Sequence, residues 1–148
     1  MTYEIVELEE KIVVGLSART NNSDSDMGGG MWGRFYGAGI YEAIKNKSTG
    51  KSLGIYTDYE GDEKSDYTAL VACEVTQADA VPEGTVVRTI PAGKYAKFVV
   101  KGHVQKAVME FWQELWSMDL PRSFKSDFEE YQDGDMEHAE IHIYIGLV

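Results

Sequence analysis

The chain is poor in cysteine, proline, histidine and positive charge. One thiol in 148 residues, Cys73, excludes an internal disulfide. It stands in the apolar run Ala69-Leu70-Val71-Ala72-Cys73, which marks it as a small core residue. Three histidines leave little material for a hydrolytic triad. Lysine and arginine number 14 against 25 acidic residues, a formal net charge of −11, and no dense basic run interrupts this balance. Nucleic-acid binding needs a cationic face to displace counterions, so no direct nucleic-acid partner is expected. Cationic small molecules or a basic protein partner suit such a field better. No apolar run is long enough to span a bilayer. The opening Met1-Thr2-Tyr3-Glu4 lacks the basic start of a signal peptide. A cytoplasmic location without membrane attachment is therefore expected.

Metal and cofactor signatures are also thin. His138, Glu140 and His142 alternate along one strand pattern, but no fourth ligand or spacing signature joins them. Asn22, Asp24 and Asp26 have the spacing of a calcium loop, yet Met27 stands where glycine is required and Gly33 where the closing glutamate belongs. Gly37-Ala38-Gly39 lies inside a helical pattern and lacks the third glycine of a dinucleotide fingerprint. Neither a metal nor a cofactor is expected.

What the chain does have is aromatic residues, nine Tyr, five Phe and three Trp, set in a regular order of elements. Tyr3–Leu8 and Lys11–Arg19 read as two strands, and Thr20–Gly30 as a loop by composition. From Met31 the apolar period changes to that of a helix, with Trp32, Tyr36, Ile40 and Ile44 four apart. Leu53–Tyr59 and Tyr67–Val75 return to strand. After a short linker with Pro82 and Gly84, strands Val86–Ile90 and Lys94–Val100 lead to a strongly amphipathic helix marked by Val104, Val108, Phe111, Leu115 and Met118. Phe128–Tyr131 and Glu140–Leu147 close the chain as strands. Two halves, about 1–77 and 84–148, thus repeat strand, strand, helix, strand, strand. This predicts one α+β domain over 1–148, with helices on one face of a largely antiparallel sheet.

The last two strands hold the most suggestive chemistry. Alternation puts Glu129 and Tyr131 on one face of theirs, and Glu140, His142 and Tyr144 on one face of the next, with Ile141, Ile143 and Ile145 opposite as the core set. The acidic and aromatic positions are expected to line a groove together. An ionised glutamate among aromatics is costly unless paired, and desolvation raises its pKa. A lipophilic cation removes that cost and also suits the ring faces.

The ordered set Asp66-Tyr67, Ile90-Pro91-Ala92-Gly93-Lys94-Tyr95-Ala96, Gly102-His103, Phe111-Trp112-Gln113-Glu114-Leu115-Trp116, Asp127-Phe128-Glu129-Glu130-Tyr131 and Ala139-Glu140-Ile141-His142-Ile143-Tyr144-Ile145 resembles the GyrI-like small-molecule-binding family, the effector-binding domain of bacterial transcription activators. The resemblance runs from Tyr3 to the C-terminus. It implies a pair of pseudo-symmetric β-α-β-β units with a ligand groove between them. It further implies a drug-binding role through a central glutamate among aromatics. Glu129 matches that glutamate, Tyr131 the residue beside it, and Glu140 a second acidic position. Tyr67, Tyr95, Trp112 and Trp116 are nearby aromatic candidates, and His142 and Tyr36 complete the expected lining. Because the chain opens on the first strand with no DNA-binding domain before it, it resembles the stand-alone members. Among these are drug-sequestering proteins, gyrase modulators and hydrolases of cyclopropane-bearing compounds. In an enzyme of the last kind Glu129 would be the general base and Tyr131 would orient or donate. Binding of a lipophilic cation ranks first of the three, hydrolysis second and an acidic interaction surface third.

Overall fold

Tight alternation and a β-branched content fit for pleated surfaces build most of this molecule from strands. The computed structural model describes residues 2–20, 29–61, 66–78, 81–132 and 137–148. Its elements are β1 (Glu4–Leu8), β2 (Lys11–Thr20), α1 (Gly29–Gly37), α2 (Ile40–Ala43), β3 (Lys47–Thr57), β4 (Tyr67–Val75), β5 (Val86–Ile90), β6 (Gly93–Gly102), α3 (Val104–Leu115), β7 (Arg122–Tyr131) and β8 (Ala139–Leu147). The strands form one eight-stranded sheet in the order β1-β6-β8-β7-β3-β4-β2-β5, and every pairing is antiparallel.

That order carries the internal symmetry. Exchanging the halves, β1 for β5, β2 for β6, β3 for β7 and β4 for β8, returns the same order reversed. The seam between the halves is therefore the β3–β7 pair. The first strand of each half crosses to pair with the second strand of the other, β1 with β6 and β5 with β2, which ties the two halves into one domain.

Three apolar clusters fill the fold. Val14, Leu16, Ala69, Val71 and Cys73 pack under Met31 and Phe35 of α1. Phe98, Ile141, Ile143 and Ile145 pack under Phe111 and Leu115 of α3. On the other face, Leu53, Ile55, Leu70, Tyr95, Phe128 and Tyr144 form a third cluster. Both faces of the sheet are thus covered.

The elements differ from expectation at three places. The first helical stripe is broken in two, because Gly39 adopts φ 73°, a left-handed conformation that costs glycine little, and Gly39 accordingly separates α1 from α2. Strand β3 begins at Lys47 rather than Leu53, and β7 at Arg122 rather than Phe128. In β7 the pairing with β8 shifts register between Arg122 and Asp127, an irregularity that hides the alternation there. Asn22, Asp24 and Asp26 lie outside the described residues.

Candidate functional site

Residues paired across a sheet share a face, so register alone locates the site. Glu129 of β7 pairs with Gly54 of β3 on one side and with Ile143 of β8 on the other. Ile143 lies beneath α3, so Glu129 points into the helix layer, at the seam where α1 and α3 leave the sheet between them. Gly54 makes room for it: a Cβ there would come within 2.8 Å of Glu129 Oε1. The carboxylate is 1% exposed.

Aromatic donors supply its partners. The Tyr131 hydroxyl donates to Oε1 at 2.7 Å. Oε2 accepts from Trp112 Nε1–H at 2.7 Å and from the Tyr56 hydroxyl at 3.0 Å. Among the described residues no cation pairs with Glu129. Burial pushes its carboxyl above the usual range, and the bonds from Trp112, Tyr131 and Tyr56 offset part of that rise. Burial, followed by the charge of Glu129, raises the Tyr56 and Tyr131 hydroxyls well above the ordinary tyrosine value. Both therefore remain protonated donors at neutral pH. Ring contacts hold the cage in shape: Tyr56 meets Trp112 edge-on at 5.3 Å and Trp32 meets Tyr131 edge-on at 5.1 Å between centroids.

A cavity of about 410 Å³ opens beside this cage. Tyr56 and Trp112 form part of its wall, so Glu129 stands directly behind two of its lining residues. Tyr67 and Trp116 line it too, with Val108 and Met109 on the same turns of α3. A second buried carboxylate braces the remaining wall. Asp127, fully buried, accepts the Tyr59 hydroxyl at 2.7 Å and the Arg122 guanidinium at 2.8 Å on Oδ2, and the Gly146 N–H at 2.8 Å on Oδ1. Tyr59 and Arg122 both line the cavity. Two carboxylates two residues apart on β7 thus each fix a pair of wall residues. The arrangement offers flat apolar walls, a recessed anion and one guanidinium, the makings of a receptor for a small amphipathic molecule.

The expected site residues divide. Glu129, Tyr131, Trp112, Trp116 and Tyr67 gather at or behind this cavity. Tyr36 lies on the α1 side of the seam, half-exposed, stacked on Trp32 at 6.1 Å and bonded through its hydroxyl to Ser52 Oγ. Glu140, His142 and Tyr95 do not join them, contrary to the expected shared groove. His142 pairs with Glu130 and Tyr144 with Phe128, so these side chains occupy the opposite face from Glu129. The aromatic cavity lies on the isoleucine side of the sheet, against α3. Glu140 instead bonds His142 at 2.7 Å, and this bond lowers the Glu140 carboxyl pKa. Tyr95 is buried in the far-face cluster and donates to Pro91 O at 2.6 Å.

Tyr56, Tyr59, Gly54, Asp127 and Arg122 were not expected in this role. Tyr56 and Tyr59 are three apart in a strand region, which by itself shows nothing. The β3–β7 register puts Tyr56 on the face of the glutamate, and Tyr59, beyond the paired residues, reaches Asp127 instead.

Comparison with known proteins places this geometry in context. A family model named Cass2, described as integron-associated effector binding protein, matches residues 4–147. An integron cassette protein from the mobile metagenome of Vibrio cholerae is 24% identical, with a TM-score of 0.82 over 99% of this chain and 95% of its own. A putative bacterial transcription regulation protein from Staphylococcus aureus MU50 is 22% identical, with a TM-score of 0.74 over 99% of both chains. The structure of SAV2435 bound to tetraphenylphosphonium is 22% identical, with a TM-score of 0.76 over 98% of this chain and 94% of its own. At these identities the structural likeness speaks for the fold. No curated protein matches the sequence.

Proposed function

We propose, for a chain that belongs to the Cass2 family of integron-associated effector-binding proteins, that the cavity beside α3 binds lipophilic organic cations with Glu129 as the charge partner. The observation that carries this reading is the state of Glu129: 1% exposed, bonded only by neutral aromatic donors, and paired with no cation among the described residues. A buried carboxylate lacking a counter-charge is costly. A cation against Tyr56 and Trp112 offsets that cost and gains the ring faces as well. The binding of tetraphenylphosphonium by the similarly folded SAV2435 supports this ligand class.

The geometry favours binding over turnover. A general base must reach the water it deprotonates, whereas Glu129 is recessed and three donors occupy its oxygens. Tryptophan fluorescence tests the proposal, since Trp112 and Trp116 both line the cavity. Tetraphenylphosphonium is expected to give a saturable signal, and Glu129→Gln to weaken its binding about tenfold or more, in line with loss of a charged interaction. Equal affinity in the two proteins would refute the role of Glu129. Absence of binding to wild type would refute the site.

A further inference from the structure

Arg122 is the only cationic residue lining the aromatic cavity among the described residues. Its side chain is 7% exposed. Nη2 donates to Asp127 Oδ2 at 2.8 Å, and the guanidinium lies 4.3 Å from the centre of the Phe124 ring. The remaining donors are unspent. Nε is buried with no hydrogen-bond partner, and the bond from Nη2 is the only one the guanidinium makes to the described residues. A guanidinium carries five N–H donors in a fixed fork, and the buried Nε–H left without a partner costs free energy. Asp127 already balances the positive charge, so a neutral acceptor suits the open side of the fork better than a second anion.

We propose that Arg122 is a specificity-determining residue of this cavity, and that the preferred ligands are lipophilic cations that also carry a neutral hydrogen-bond acceptor, such as a ketone or ester carbonyl. This inference rests on the cation-binding reading above and refines it. The cation is held on the Tyr56–Trp112 side, where Glu129 lies behind the wall. The acceptor is held on the Tyr59–Arg122 side, which Asp127 braces. Arg122 discriminates among cations, and Glu129 provides the affinity they share.

The test compares two probes on the full chain: pentyltriphenylphosphonium, and an ester-bearing triphenylphosphonium of the same chain length. Wild type is expected to bind the ester about tenfold more tightly, the scale of one charge-assisted hydrogen bond. Arg122→Lys keeps a cation for Asp127 but removes the fork. The preference is expected to fall to about onefold. In wild type, the Arg122 Nε–H NMR resonance is expected to shift with the ester probe and stay in place with the pentyl probe, a readout that holds even if the variant does not fold. Equal affinity of wild type for both probes overturns the Arg122 assignment and leaves the cation site standing. So does an undiminished preference in folded Arg122→Lys. If neither probe binds wild type, the cation-binding reading falls and this inference falls with it.

Discussion

At the scale of single residues, the site depends on an anion placed where water cannot reach it. The sequence shows that Glu129 alternates with Glu130 and shares a face with Tyr131. It does not show that Trp112 and Tyr56 complete the cage, because those contacts join residues 17 and 73 positions away. The raised carboxyl pKa of Glu129 sets a pH dependence. A permanent cation selects the ionised form, so its affinity is expected to be low in acid and to rise as pH passes upward through the Glu129 range, while Glu129→Gln stays flat. Stability follows the opposite sign. The folded state prefers the protonated acid, so wild type is most stable relative to Glu129→Gln below the ordinary value of 4.5, and it loses that margin as pH rises through the raised value. Thermal melts across pH check this, and a pH-independent difference would contradict it. Gly54 offers a second check. Gly54→Ala drives a methyl toward Oε1 at 2.8 Å, and is expected to cost about 1–3 kcal/mol in stability and to weaken cation binding, read by denaturation and titration.

At the scale of elements, strand and helix types were largely legible from periodicity, and the amphipathic α3 most clearly. The faces were not. The reading that grouped Glu140 and His142 with Glu129 assumed one covered face and one open groove. With Phe128, Tyr95 and Tyr144 filling the far face as well, the two covered sides cannot be told apart from alternation alone. The start of β7 was missed for a related reason. Between Arg122 and Asp127 the register shifts, and Phe124 sits at φ 54°, so no period-two pattern survives there. Asp127 holds this irregular stretch through Arg122, Tyr59 and Gly146. Asp127→Ala would leave the Arg122 cation buried without its carboxylate, and is expected to cost about 3–5 kcal/mol in urea unfolding. A loss below about 1 kcal/mol, the range of an exposed ion pair, would contradict that bracing role.

At the scale of the whole molecule, the pseudo-twofold order of the strands puts the seam between the halves under the gap between α1 and α3, and the candidate site grows out of that seam. The two-half repeat was visible in the sequence, but the crossing of β1 and β5 into the opposite halves was not, because equivalent element orders admit several pairings. The net charge of −11 gives every cation an attractive field, so attraction alone does not identify a site. A pair of isosteric ions separates the two effects. Tetraphenylphosphonium and tetraphenylborate share size and shape but differ in sign, and Glu129→Gln changes the net charge by only one. The decisive measurement is the affinity ratio of these two ions in wild type and in Glu129→Gln at physiological salt. The account predicts a strong preference for the phosphonium in wild type that largely disappears in the variant. An unchanged ratio would mean that the overall field, and not Glu129, selects the ligand.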